Sequence, residues 1–400
     1  VIGNRLVFRT KEDNKKKVRL VAKGCAQRPG EDYFQTYSPV VRMSTIRLIT
    51  AFAARNDIEI HQMDFVTAYL NGELEENVYT SIPEYFEEFL KKVVSKEFFG
   101  TKAQVNSQVE NNAKIILNAV RKSKNPVLKI NKALYGLRQS GLQWYKKLSE
   151  KLLSLGLKTS NQDPCLFLSK EGNNIMIITV YVDDLLIVTN NTKWRDEIKK
   201  SLANTFKMKD LGKVSKILGI EFHQDLENHS IFINQKDYIN LLLKRFNMED
   251  ANSVKTPLEP NQHLDKPQIA NLEVMSKYPY QNLIGSLMYL AVSTRPDIVF
   301  AVNYLSQFNN NFNSQHWQAA KRVLRYVKGT ATHGLRYQKN NSEIYGVVDA
   351  DWGNNLIDRK SYSGVAFIFG GAAITWEARK QRTVALSSTE AEILAITDAS

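Results

Sequence analysis

The stretch Ile175–Val188, IMIITVYVDDLLIV, decides how this chain is read. It is an apolar run broken by two adjacent carboxylates, Asp183 and Asp184. Such a run reads as strand buried in a sheet. A buried, unpaired carboxylate costs several kcal/mol, on the order of a domain's whole margin of stability. The two acids therefore sit at a turn in water or face something positive. A turn between Val182 and Leu185 makes the run a hairpin. It also breaks the alternation that sends neighbouring strand side chains to opposite faces. Both acids can then approach one point.

A third acid, Asp64, ends the short strand IEIHQMD (58–64). If that strand and the hairpin are neighbours in one sheet, three carboxylates converge. Hard oxygen ligands of this kind suit Mg²⁺, which keeps some waters and takes the rest of its shell from substrate phosphate. Two such ions stabilise the attacking and leaving oxygens of an in-line phosphoryl transfer. Either acid motif alone reads as well as a polar turn or a helix cap, because short motifs match by chance. Their joint context carries the weight.

Four hundred residues with 43% hydrophobic content bound a globular chain of two or three domains. No apolar run reaches the roughly 18 residues of a membrane span. The N-terminus VIGNRLVFRT has neither an initiator Met nor a signal-peptide core, so a piece of a longer product is expected. Cys25 and Cys165 cannot make a disulfide scaffold and fit a reducing compartment. The formal charge of +13 fits a polyanion partner as well as a solvated surface. Two clusters are candidates for nucleic-acid contact: the Lys-rich hairpin at residues 5–23 and the run KRVLRYVK (321–328).

Along the chain, residues 5–23 predict a hairpin around KEDN, and residues 43–55 a helix capped by Ser44 or Thr45. Residues 86–124 are polar and weakly helical without a core stripe, and read as a surface insertion. An amphipathic helix follows INKALYGLRQS, then the apolar hairpin, a helix over 193–206, strands over 216–235 and a helix over 236–246. A link at 256–270 leads to an all-helical stretch over 278–329. Three strands then precede a helix capped by Ser387 or Ser388.

Six segments occur in order: RLVAKG (19–24), MDFVTAYLNGEL (63–74), KALYGLRQSGLQWY (132–145), YVDDLLIV (181–188), MKDLG with LGIEF (208–222), and ADW through SSTEAEI (350–393). Together they resemble the reverse transcriptase and ribonuclease H region of copia-type LTR retrotransposon Pol polyproteins. The resemblance covers nearly the whole chain. The insertion at about 87–124 is its main departure, and Gly141 stands where many such sequences have Pro, which could loosen a helix start.

The resemblance implies an α+β right-hand polymerase. Fingers and palm would occupy 1–256, a helical thumb or connection 257–340, and a partial ribonuclease H-like α/β domain 341–400. It implies RNA-directed DNA polymerase activity, a nucleotidyl transfer by Asp64, Asp183 and Asp184 with two Mg²⁺, or Mn²⁺ in their place. Tyr69 takes the place of an aromatic gate against the 2′-OH, with a plain core aromatic as its alternative. Backbone amides from Phe65 to Ala68 would hold the triphosphate. Lys17 and Arg19 would clamp its outer phosphates, with Arg9 and Lys11 as alternatives. Tyr135 and Gly136 would lie against template and nucleotide, Leu218–Phe222 would grip the primer, and Lys207 or Lys209 would protonate pyrophosphate. Asp349 and Glu392, or Glu390, would begin a ribonuclease H site whose further ligands lie beyond Ser400. That activity is therefore expected to be absent, with an open sheet edge and a bare apolar face on GVAFIFGG. Implied partners are an RNA template, a DNA or tRNA primer, dNTPs and other Pol or Gag products. No membrane is implied, and the setting would be a cytoplasmic virus-like particle or the nucleus. Two rivals are a non-catalytic relic or domesticated nucleic-acid-binding protein, and a metal-dependent phosphatase. The second would need neither a basic hairpin nor an aromatic gate.

Overall fold

The structure, a computed structural model, describes residues 1–10, 14–98, 101–102, 106–260, 264–265 and 272–400. Its centre is an antiparallel six-stranded sheet in the order Met208–Lys213, Ile60–Phe65, Asp184–Thr189, Asn174–Tyr181, Leu166–Glu171, Lys158–Thr159. The apolar run of the sequence thus forms two central strands, which is why it can be hydrophobic throughout. Helices Met43–Arg55, Ser140–Ser154 and Thr192–Thr205 lay Ile46 and Ile49, Trp144 and Leu148, and Ile198 and Leu202 onto the same core.

The predicted helix at 43–55 forms, but its cap comes from elsewhere in the chain. Arg42 is the N-cap and has no side-chain cap bond. Instead the buried carboxylate of Asp163 accepts from the Arg42 amide at 3.0 Å and from Thr45 Oγ1 at 2.7 Å. An anion at a helix N-terminus is favoured by the dipole. No local pattern could announce that partner.

The basic hairpin forms as strands Asn4–Thr10 and Lys16–Ala22. Lys11, at its tip, lies outside the described residues, as does part of the 256–270 link. The expectation of a stripeless insertion is corrected. Helices Phe86–Ser95 and Ser107–Lys122 bury Leu90, Val93, Ala113 and Leu117 against each other. Its apolar residues are few because they face only one another.

A second core is helical. Tyr280–Ser293, Val299–Ser306 and Ser314–Gly329 pack with Ile239, Leu242 and Leu243 from Lys236–Arg245. The apolar face of that helix is therefore buried in the bundle. The stretch to 340 is not purely helical. Strand Gly334–Gln338 pairs with Ser230–Asn234 and completes a sheet with Lys216–Ile217 and Ile220–Asp225. Three cations of KRVLRYVK have partners within the chain. Arg325 Nε donates to the Asn252 carbonyl at 2.6 Å, Lys328 Nζ to those of Glu249 and Ala251, and Arg322 pairs with Glu259 at 2.9 Å. They tie down the segment 249–259.

Strands Tyr345–Ala350, Tyr362–Phe369 and Ala372–Lys380 form the last sheet, and Ser387 caps helix Ser388–Ala399, with its hydroxyl accepting from the Glu390 amide at 3.1 Å. The face of GVAFIFGG expected to be bare is half-buried. Phe367, Ile368, Phe369 and Trp376 pack against the central core, and Arg47 bridges the join. Arg47 donates to the carbonyls of Ile374 at 2.7 Å, Val292 at 2.6 Å and Ser293 at 2.9 Å, with its guanidinium 3.9 Å from the Trp376 ring.

Candidate active site

Strand register brings the expected acids together. Asp184 stands opposite Asp64, Lys209 faces Asp64 from the other neighbouring strand, and Tyr181 faces Asp184. Directly opposed residues share a face of the sheet. Lys209, Asp64, Asp184 and Tyr181 therefore make one row across four strands.

Asp183 lies beside this row in a two-residue turn with Val182, whose φ is +52°. A positive φ is what the first position of a II′ hairpin turn requires, usually of Gly. A β-branched residue there is strained by roughly 1–3 kcal/mol. Two bonds hold it. Trp144 Nε1 donates to the Val182 carbonyl and the Phe65 amide to the Asp183 carbonyl, each at 2.8 Å. Trp144 was only a helix residue in the sequence, and it is the strut beneath the turn.

Burial pushes the Asp183 carboxyl above its ordinary range, and Asp64 and Asp184 push it further, while Arg19 and Lys17 oppose them. Asp184 is raised by burial and by Asp64, against a hydrogen bond from Gln62. Asp183 Oδ1 is buried with no hydrogen-bond partner. The acids face one another without forming a closed ligand shell. Among the described residues no group of three or more His, Cys, Asp or Glu is gathered to hold a metal ion. Like charges in a low-dielectric site repel until a cation joins them. A buried orphan oxygen among hard oxygen donors fits such a cation.

Tyr69 sits on the short turn Ala68–Asn71, with its ring 4.7 Å from that of Tyr135. Its hydroxyl pKa is raised by burial and then by Asp183. Tyr135 is raised by the same two causes and lowered by Arg19, whose guanidinium lies 5.5 Å from the Tyr135 ring. Asp183, Tyr69, Tyr135 and Arg19 thus act on one another as neighbours. Lys17 pairs with Arg9 across the hairpin, and Arg19 with Val7. The Tyr135–Gly136 loop is stitched to that hairpin by the Ala22 amide, which donates to the Tyr135 carbonyl at 2.8 Å. Gly136 has φ +93°, and a Cβ there would lie 2.1 Å from the Ala22 carbonyl oxygen. Gly141 starts its helix tightly, because a Cβ there would come within 3.0 Å of Ser38.

One expectation is narrowed. The amides of Phe65 and Val66 are already committed to the carbonyls of Asp183 and Lys207, both at 2.8 Å. A strand end beside a hairpin tip spends its first amides on the sheet. Phe65 places its ring in the core, 4.7 Å from Trp144. Only the Thr67 and Ala68 end of that run stays a candidate for phosphate.

Leu218 and Gly219 form a hairpin turn with φ of +51° and +69°. The Tyr289 hydroxyl donates to the Leu218 carbonyl. Asp349 is exposed on its strand and Glu392 half-buried on the last helix. Glu390, the alternative, accepts from the Leu386 amide at 2.6 Å and completes the helix cap.

The profile of the family described as reverse transcriptase (RNA-dependent DNA polymerase) matches residues 1–104 and 117–260, so its gap falls within the inserted helical pair. The retrovirus-related Pol polyprotein from transposon TNT 1-94 of Nicotiana tabacum is 37% identical over 98% of this chain and 28% of its own length. That from transposon RE1 of Arabidopsis thaliana is 35% identical over all of this chain and 25% of its own. The chain thus spans about a quarter of the curated relatives it matches. A foamy viral protease–reverse transcriptase solved with double-stranded DNA shares 12% identity over 99% of this chain and 55% of its own, at a TM-score of 0.45. With its strand-end acids and hairpin tip in this register, the chain belongs to the reverse transcriptase (RNA-dependent DNA polymerase) family, as the reverse transcriptase region of a copia-type retrotransposon Pol polyprotein.

Proposed function

We propose that this chain is an active RNA-directed DNA polymerase, which adds dNTPs to a primer 3′-OH on an RNA or DNA template and releases pyrophosphate. The observation that carries the reading is the facing of Asp64 and Asp184 beside the buried, unpartnered Asp183 Oδ1. Two Mg²⁺, or Mn²⁺, held by Asp64, Asp183 and Asp184 would stabilise the charge on the attacking and leaving oxygens. The remaining work falls to the chain. Arg19 and Lys17 bind the outer phosphates, and amides at Thr67 and Ala68 approach the others. Tyr69, braced by Tyr135, closes the space of a 2′-OH. Gly136 lets backbone approach the template base. Lys209 is better placed than Lys207 to give an Nζ proton to pyrophosphate, since it stands opposite Asp64.

In this reading the hairpin and the six-stranded sheet are fingers and palm, and the helical core is the thumb or connection. The last sheet is a ribonuclease H-like unit, in which Asp349 and Glu392 would supply the first carboxylates of a two-metal site. Template RNA, a DNA or tRNA primer and other Pol or Gag products are its partners, in a cytoplasmic particle or the nucleus. Primer extension tests the central claim. Asp64→Asn should abolish extension while primer–template binding survives. Full activity in that variant would overturn the role of Asp64, and a wild-type chain that binds primer–template without extending it would leave the relic reading standing.

A further inference from the structure

We propose that Gln62 is a positioning residue for Asp184, and so for the cation that Asp184 holds. The inference rests on the reading of Asp64, Asp183 and Asp184 as the ligand set. Gln62 lies two residues before Asp64 on strand Ile60–Phe65, and therefore on the same face. It is 4% exposed, and its Nε2 donates to Asp184 Oδ1 at 2.9 Å. Its neighbour is treated differently, since Asp183 Oδ1 is buried with no partner. Of two adjacent acids, the protein orients one and leaves an oxygen of the other for a ligand.

The chemistry of the donor explains the residue type. A donor that adds no charge orients a carboxylate without competing with the cation it is to hold. Lys or Arg at this position would neutralise Asp184 and repel the ion. A side-chain amide supplies a charge-assisted hydrogen bond and no net charge. One anchored oxygen stops the carboxylate from rotating, so less ordering remains to be done when the cation arrives. Partners of this kind typically account for about 10–100-fold in metal affinity or activity. The sequence did not single Gln62 out, because a lone polar residue in a strand has no distinguishing local pattern.

The test uses the full chain with two variants. Gln62→Met matches length and volume without the donor, and Gln62→Asn keeps the donor but draws it back. Binding of Mn²⁺ by electron paramagnetic resonance, without nucleic acid or dNTP, is the first readout, with the melting temperature as the folding control. The Mg²⁺ concentration for half-maximal primer extension is the second. Gln62→Met should weaken Mn²⁺ binding and raise that concentration about ten-fold, with primer–template affinity unchanged. Gln62→Asn should fall between. Folded Gln62→Met with wild-type Mn²⁺ binding overturns the inference, and if that variant does not fold, Gln62→Asn decides by the same criterion. Asp184→Asn in the same Mn²⁺ assay separates the two claims. Unchanged binding there overturns the ligand set itself, whereas weakened binding there with wild-type binding in Gln62→Met overturns only the role of Gln62.

Discussion

Asp64 and Asp184 stand directly opposite each other on adjacent antiparallel strands, with the tip of a strained turn presenting Asp183 beside them. Without a cation this arrangement costs stability, because burial and the other two acids all disfavour the charged form of Asp183. Asp183→Asn should therefore raise the melting temperature in metal-free buffer by a few degrees, on the scale of ~1 kcal/mol. The same variant should lower primer extension roughly a thousand-fold or more, since the metal contribution is several kcal/mol. A lower melting temperature would mean that the acids stabilise the fold and are no functional compromise.

Tyr69 is braced by Tyr135 and lies within the field of Asp183. Tyr69→Val should shift the dNTP/rNTP preference by roughly 10-fold or more towards ribonucleotides, the range that differences in pocket volume supply. Competition assays measure this ratio. An unchanged ratio would return Tyr69 to the role of a core aromatic.

Two glycines with positive φ separate backbone strain from collision. Gly30 has φ +81° and nothing within 4 Å of an added Cβ, so Gly30→Ala should cost only about 1–2 kcal/mol. At Gly136 the same methyl would meet the Ala22 carbonyl oxygen at 2.1 Å, and the neighbour is backbone. Gly136→Ala should cost several times more and abolish extension. Chemical denaturation of both variants gives the comparison.

His316 is buried in the helical core, and burial lowers its pKa from 6.5 to about 4. A depressed histidine stays neutral in the fold while the unfolded chain takes up a proton. Stability is therefore intact above about pH 6.5 and is lost as pH falls towards about 4, by on the order of 3 kcal/mol. His61, lowered by burial and then by Lys199, adds a loss of the same sign. His316→Gln retains a capping partner for Asn313 and should flatten the acid limb of a stability–pH curve. An unaltered limb would remove His316 from the account.

Arg47 joins the sheet helix, the end of helix Tyr280–Ser293 and strand Ala372–Lys380 through three carbonyls and the Trp376 ring. Burial lowers its pKa to about 10, which leaves it charged at neutral pH. Arg47→Met strands those carbonyls and should cost roughly 2–4 kcal/mol. Hydrogen exchange should then rise first in Tyr345–Lys380. Uniform protection in the variant would show that apolar packing alone holds that sheet.

The residues by themselves determined the hairpin of Asp183 and Asp184, the strand of Asp64, the basic first hairpin, the main helices, and the family, but not strands such as Met208–Lys213 and Gly334–Gln338. Period, turn chemistry and ordered motifs are local properties, legible wherever the chain is read. The tertiary structure decided the rest. It made Asp163 the cap of Met43–Arg55, Trp144 the strut under Val182, and Gln62 the partner of Asp184. It gave Arg325 and Lys328 carbonyl partners in residues 249–259. It also packed Phe367, Ile368 and Phe369 of the last sheet, half-buried, against the central core. Each of these joins residues far apart in the chain or settles which neighbour satisfies a buried polar group. Such pairings are chosen by strand register and by the competition to leave no buried donor or acceptor alone, and neither acts until the chain has closed on itself.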